Sequence, residues 1–375
     1  MQLEPTSQTG ISEMKSKHIT LGDKDAGSPR DKLFPIPSTN HLPQNVIDKL
    51  IVRQDGTIKT LSDIEVSTRT AIVYTNLKLN LEKLYTYVPV VKYVPQEKRR
   101  GRKKRINIEP PIFRLPFGSV VNVQYESRYR GYITPKKLEK RNNALRSKQK
   151  RNYFLHCVTM MITIENDDSL YGDNAAKHVK VGANGKLQIT GCKNDKHYHD
   201  IIVAFFRLLD QIKTFTGEDV VTNREECPQY KAVFNTVMQN MDFYIGFGVV
   251  RDNLDQYIHL NTGYRTVYEG SVNPSINIKI PNLTDDENKL LHVDYDPTTG
   301  TSSVKTVPFG EYKHHFVKHA KKKESSHSFL VFASGRVIFT SCGAQMEEIF
   351  NQIIHILLTN REHFEEIKEV EETTA

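Results

Sequence analysis

Between Lys186 and Thr190 polar and apolar residues alternate. Lys186, Gln188 and Thr190 fall on one side and Leu187 and Ile189 on the other, the period of a strand with one greasy face. The stretch from Arg336 to Thr340 does the same, with Arg336, Ile338 and Thr340 opposite Val337 and Phe339. Beyond each strand the period lengthens to that of a helix. Ile201, Ile202, Phe205, Leu208, Leu209 and Ile212 make one apolar stripe, and Met346, Ile349, Phe350, Ile353 and Leu357 make another. Each stripe predicts a long helix able to cover the greasy side of its strand.

The two units read as copies. "GKLQITGCKNDKHYHDIIVAFFRLLDQI" from residue 185 and "GRVIFTSCGAQMEEIFNQIIHILLTN" from residue 335 share a glycine before a basic residue, a threonine at the same offset and then Cys192 or Cys342. Upstream, "STRTAIVYTNLKLNLEKLYTYVP" (67–89) and "MDFYIGFGVVRDNLDQYIHLN" (241–261) each predict a strand and a short helix opening on Asn80-Leu81 or Asn253-Leu254. Leu81 to Gly185 spans 104 residues and Leu254 to Gly335 spans 81, so the excess of 23 is assigned to an insertion in the first repeat. A period this long is no solenoid. The expectation is an α+β fold of two pseudo-symmetric antiparallel sheets joined together, with helices on one face and the other face open. The divisions are a disordered tail at 1–45, a first repeat at 46–222 with a basic insertion at about 95–151, a second repeat at 232–363 and an acidic tail at 364–375.

Charge sharpens this picture more than composition does. The chain of 375 residues is 38% hydrophobic, has no tryptophan and carries a net charge of +8. Residues 98–151 hold 18 Lys and Arg against three acids, a local balance of +15 that leaves about −7 for everything else. A block of that kind usually meets a polyanion. Its densest part, "RRGRKKR", offers Arg99, Arg100, Arg102, Lys103, Lys104 and Arg105 as a nuclear-import tag, a phosphate grip or a solvated loop. The run from Lys136 to Arg151 reads as a basic helix that could lie along DNA or RNA.

Other chemistry is weakly signalled. "GANGK" does not make a phosphate loop, because Gly182 and Gly185 stand too close and Leu187 replaces the required Ser or Thr. "GFG" at 246–248 lacks a third glycine and reads as a flexible spot in a strand. His314, His315 and His319 have no third ligand at metal spacing and read as a solvated basic loop, as do the acid pairs Asp167-Asp168 and Asp285-Asp286 as polar turns. The four cysteines form no CxxC pair. Neither a metal nor a cofactor is expected, and no catalytic group. No apolar run reaches the ~18 residues of a membrane span, and the opening MQLEPTSQTG lacks a signal-peptide core, which points to an intracellular protein without a membrane partner.

The doubled pattern resembles the TATA-binding protein (TBP) family, and in particular the divergent TBP-like factors of large nucleocytoplasmic DNA viruses. The residues that carry the resemblance are "FLVFASGRVIFTSCGAQMEEIF" in the second repeat and, more loosely, "VKVGANGKLQITGCK" in the first, within a likeness spanning roughly 60–360. The resemblance implies a saddle: a curved antiparallel sheet whose concave floor lies on the DNA minor groove, with helices on the convex side. It implies floor residues Gln188 and Thr190 in the first half and Ile338 and Thr340 in the second, with Lys186 and Arg336 meeting phosphates. Phe332 matches the family phenylalanine that wedges between base pairs, whereas its counterpart Gly182 cannot wedge. The implied partners are double-stranded promoter DNA, a B-type initiation factor, a multisubunit RNA polymerase and, as a further candidate, a second TBP-like subunit. The implied location is the host nucleus or a cytoplasmic viral factory, with packaging in the virion a further candidate.

A small uncharged floor fits the degenerate acceptor pattern of the minor groove, and charge at the rim fits the phosphates that supply affinity. The missing wedge at Gly182 motivates the alternative, a non-catalytic interaction scaffold of a viral transcription complex that binds nucleic acid nonspecifically through the basic insertion.

Overall fold

The computed structural model describes residues 33–35, 42–92, 115–133, 156–164, 176–282, 289–316, 326–343 and 345–366. Arg99, Arg100, Arg102, Lys103, Lys104 and Arg105, the run from Lys136 to Arg151, His319, both acid pairs, most of the N-terminal tail and most of the acidic tail lie outside them.

A short helix α1 (Gln44–Ile47) precedes the first repeat, which runs β1 (Val66–Thr75), α2 (Leu81–Tyr87), β2 (Val120–Tyr125), β3 (Arg128–Gly131), β4 (Cys157–Thr163), β5 (Ala176–Gly182), β6 (Lys186–Cys192) and α3 (Asp195–Thr216). The second runs β7 (Tyr230–Tyr244), α4 (Arg251–Asn261), β8 (Arg265–Val267), β9 (Ser275–Pro281), β10 (Lys289–Tyr295), β11 (Ser302–Pro308), α5 (Phe309–Phe316), β12 (Ser326–Phe332), β13 (Arg336–Ser341) and α6 (Met346–Thr359).

These strands form one sheet in the order β3-β2-β4-β5-β6-β1-β7-β13-β12-β9-β8. Outward from the central β1–β7 pair, each half places its last strand next to its first, then the strand before it. The central ladder is itself two-fold: Thr68 pairs with Asn240 and Thr70 with Met238, around the pair Arg69 and Gln239. The strand order thus repeats outward from that pair.

The helices form where the periodicity placed them. Asn194 caps α3, its side chain accepting the His197 N–H at 2.9 Å, and Gly217 ends it in the left-handed region. Ile201, Ile202, Phe205, Leu208, Leu209 and Ile212 are buried against Leu187 and Ile189 in the first core. In the second core α6 buries Ile349, Phe350, Ile353 and Leu357 over Val337 and Phe339. There the Phe329 and Phe339 rings stack at 4.2 Å. Each half thus has its own hydrophobic core on the helical side of the shared sheet.

The structure corrects several of the expectations. The span 95–151 is not one insertion, since β2 and β3 lie within it and belong to the sheet. The second repeat carries an insertion of its own, β10–β11–α5, with β10 pairing the Tyr230–Phe234 end of β7 while β13 pairs the Gln239–Tyr244 end. Comparing lengths hid it, because a difference of two insertions reports only their imbalance. The boundary at 46 also divides the chain differently from its packing: Ile51, Val52 and Ile64 lie in the second core, and the Ile51 N–H donates to the Tyr244 carbonyl. Asn80 caps α2, accepting the Lys83 N–H, but α4 begins earlier than its Asn-Leu step, at Arg251, after Val250, whose N–H donates to the Phe364 carbonyl. Gly246 takes φ +95° in the turn after β7, so "GFG" lies beyond the strand.

Candidate nucleic-acid interface

The face of the sheet opposite α3 and α6 presents Lys186, Gln188, Thr190, Phe332, Arg336, Ile338 and Thr340 together, because their alternating neighbours Leu187, Ile189, Val331, Val337 and Phe339 point into the two cores. The same parity brings Thr70, Ile72 and Tyr74 of β1, and Asn240, Asp242 and Tyr244 of β7, to this face between the two sets. The sequence reading missed these central residues. Their signal was the copied strands at 67–89 and 241–261, whose register only the paired ladder fixes.

Cross-strand rows run over the floor in matching positions. Nearest the centre, Thr190 pairs with Thr70 and Thr340 with Asn240, the Thr340 hydroxyl donating to the Asn240 side-chain oxygen at 2.9 Å. Next, Gln188 pairs with Ile72 and Ile338 with Asp242. Outermost, Lys186 pairs with Tyr74 and Arg336 with Tyr244. The centre is small and uncharged, and the cations stand at the outer row.

Lys186 and Arg336 share a row position but differ in surroundings. The Lys186 ammonium lies 5.3 Å from the centre of the Tyr74 ring. Arg336 instead holds Asp242 with two bonds, Nε to Oδ1 at 2.7 Å and Nη2 to Oδ2 at 2.9 Å, and Lys49 reaches the same Oδ2 at 3.0 Å. The Arg336 guanidinium therefore meets a carboxylate first, and a phosphate contact there requires sharing or exchange of that partner. Phe332 ends β12 opposite Ser275, and the guanidinium carbon of Arg336 lies 5.9 Å from its ring centre. At the matching end of β5 stands Gly182, opposite Cys157. The phenylalanine at the end of β12 therefore has no aromatic counterpart at the end of β5.

Burial pushes the Asp242 carboxyl up, but Arg336 and Lys49 outweigh it and hold the group below its ordinary value. A carboxyl whose folded value is depressed stabilises the fold above its unfolded value, and that contribution disappears as pH falls through the folded value. Asp242→Asn is therefore expected to flatten the acid limb of stability below about pH 4 and leave its shape near neutrality unchanged. Denaturant melts across pH 2–7 on both proteins check this; an unchanged acid limb in the variant rejects it.

The basic loop expected around His314 and His315 is instead the helix α5. Phe309 and Tyr312 pack on Val233 and Leu290, and the apolar anchoring explains why the segment is not a solvated loop. Val233 alternates with Ala232 and Phe234 of the first core, so α5 lies on the open side of the sheet, at its flank. The His315 ring sits 5.3 Å from the Tyr74 ring. Burial, then the neighbouring His314, push the His315 imidazole down.

The glycines of "GANGK" serve a hairpin. The Gly185 N–H donates to the Gly182 carbonyl at 3.1 Å, and Gly185 takes φ +74°. Among the described residues there is no group of three or more His, Cys, Asp or Glu placed to hold a metal ion. All four cysteines are free thiols, and burial pushes the Cys192 thiol up to about 12. No described helix is long and apolar enough to cross a membrane.

No protein-family model matches the chain, and no curated protein matches it. Among solved structures it is similar to Methanococcus jannaschii TBP, at 12% identity and a TM-score of 0.36, over 80% of this chain and 98% of that one.

Proposed function

We propose that this protein is a TBP-like transcription initiation factor of a large nucleocytoplasmic DNA virus, which grips promoter DNA by laying its open sheet face along the minor groove. The observation that carries the reading is the two-fold floor: uncharged Thr70, Thr190, Asn240 and Thr340 at the centre, with Lys186 and Arg336 in the outer row. A duplex is close to two-fold symmetric in its backbone, and the minor groove presents mainly acceptors, so hydroxyl and amide donors over a small surface suit it. Cations at the edge suit phosphates. The role is non-enzymatic. The helical side, with α3 and α6, is the surface left for a B-type initiation factor and a multisubunit RNA polymerase, and a second TBP-like subunit is a further candidate partner. The location that goes with this role is intracellular, in the host nucleus or a cytoplasmic viral factory, with carriage in the virion a further candidate.

The test is affinity and bending of short duplexes, A·T-rich against G·C-rich, over a salt series. Wild type is expected to prefer A·T-rich DNA, bend it, and weaken steeply as salt rises. Phe332→Ala is expected to lower the bend angle while leaving most of the affinity, because a wedge spends unstacking energy to gain wrapping. A bend that is unchanged in Phe332→Ala removes the wedge role.

A second reading is favoured by two observations: Gly182 at the first wedge position and Asp242 on the floor. In it the sheet is a docking scaffold, and the basic residues between 98 and 151 bind nucleic acid without sequence preference. Steeply salt-dependent binding with neither bend nor base preference supports that reading over the first.

A further inference from the structure

The two halves of the open face differ in charge at one matched position of the middle row. Ile72 and Asp242 stand at the same remove from the central pair Arg69 and Gln239, each beside the middle residue of the neighbouring strand, Gln188 or Ile338. An isoleucine and a carboxylate there must meet the groove differently. The carboxylate is costly on a surface that receives a polyanion, yet two separate parts of the chain converge to keep it. Arg336 comes from β13, and Lys49 from the segment that runs beside the end of β7, where the Tyr244 N–H donates to the Lys49 carbonyl.

We propose that Asp242 is a specificity-determining residue: its carboxylate accepts a hydrogen bond from the exocyclic 2-amino group of a guanine in the minor groove. One G·C pair is thereby selected over the second half, while Ile72 takes A·T pairs over the first. The proposal rests on the DNA-binding reading above and deepens it.

The geometry supplies the acceptor. Among the described residues, Oδ2 receives both Lys49 and an Arg336 nitrogen, whereas Oδ1 receives only Arg336 Nε. A carboxylate oxygen accepts about two hydrogen bonds, so Oδ1 retains one place. The side chain is 12% exposed, and the carboxylate faces the open side of the sheet with its orientation fixed by three charged contacts. The groove supplies few matches for such an atom. An A·T pair shows only the acceptors adenine N3 and thymine O2 there, and these repel a desolvated carboxylate. The guanine 2-amino group is the one base donor on that side of the duplex. Arg336 and Lys49 together leave the cluster one positive charge in excess, so the acceptor does not make this corner of the floor anionic.

The test uses the full-length wild-type chain and an A·T-rich duplex in which a single G·C pair is moved step by step along the site. At each step the guanine is also replaced by inosine, which lacks only the 2-amino group. The expected result is one position where G·C binds about tenfold tighter than I·C, with all other positions indifferent or favouring I·C. Asp242→Ile, which copies the first half, is expected to abolish that ratio. Because Asp242→Ile also removes the partner of two cations and so destabilises the fold, the inosine comparison on the wild-type protein carries the test without it. Equal binding of G·C and I·C at every position, on duplexes that are bound with an A·T preference, overturns the assignment alone. Failure to bind any duplex overturns the DNA-binding reading and the assignment together.

Discussion

Thr190→Arg combined with Thr340→Arg is expected to weaken binding to an A·T-rich duplex by about 100-fold or more near physiological salt and to collapse the preference over G·C-rich DNA. Two opposing effects decide the magnitude. Each new guanidinium adds a charge that phosphates attract, which strengthens nonspecific binding, especially at low salt. The same side chains stand several ångströms proud of the central row, where Thr190 faces Thr70 and Thr340 bonds Asn240, and hold the sheet off the groove. Loss of close fit wins, because specific binding typically exceeds nonspecific binding by about 10³-fold or more. The direct cost to the fold is smaller, since the Thr340 to Asn240 hydrogen bond contributes about 1 kcal/mol. Fluorescence anisotropy on both duplexes, with thermal melts alongside, separates these effects. Phe215→Arg on α3, at a side chain 83% exposed on the opposite face, is the matched control and is expected to leave DNA binding unchanged. If the double variant keeps its base preference while Phe215→Arg loses it, binding runs through the helices and not the floor.

The repeat was legible because both requirements of a two-layer unit are local in sequence. Alternation at 186–190 and 336–340 gave the strand faces, and the change of period at Ile201 and Met346 gave the helices that cover them. Partner choice is not local. Nothing near Asp242 in sequence announces Lys49, because the contact arises only when the segment after α1 runs alongside β7. For the same reason the resemblance set Arg336 against phosphates with no sign of the carboxylate one strand away, which a lone basic residue on a polar strand face does not announce. The helix α5 was missed for a different reason. Its charged and imidazole residues outnumber its apolar anchors, Phe309 and Tyr312, and what makes those anchors useful is the greasy patch of Val233 and Leu290 formed elsewhere. Tertiary burial overrode a composition that reads as loop.

The turn glycines test whether the two halves are the same device built twice. Gly185 and Gly335 take φ +74° and +75°, each in the hairpin joining the last two strands of its half. A Cβ on Gly185 would lie 2.1 Å from the Leu77 carbonyl oxygen, and one on Gly335 would lie 2.0 Å from that of Phe247. In both halves the hairpin is tied back to the first strand or the turn after it, the Gly185 carbonyl accepting from Thr75 and the Gly335 carbonyl from the Ile245 N–H. Gly217, which ends α3, takes a similar φ of +73° but among the described residues nothing lies within 4 Å of such a Cβ. Alanine at Gly217 therefore meets only the left-handed penalty, about 1–2 kcal/mol, whereas alanine at Gly185 or Gly335 must also displace a backbone oxygen. Gly185→Ala and Gly335→Ala are each expected to cost more than about 3 kcal/mol, at the large end of single substitutions. With a melting shift of about 2–4 °C per kcal/mol for domains of 150–250 residues, the two hairpin variants should melt roughly 6–12 °C or more below wild type, and Gly217→Ala only a few degrees below. Similar shifts for Gly217→Ala and Gly335→Ala would mean that backbone conformation alone matters there, and that the close approach of hairpin to first strand gives way at little cost.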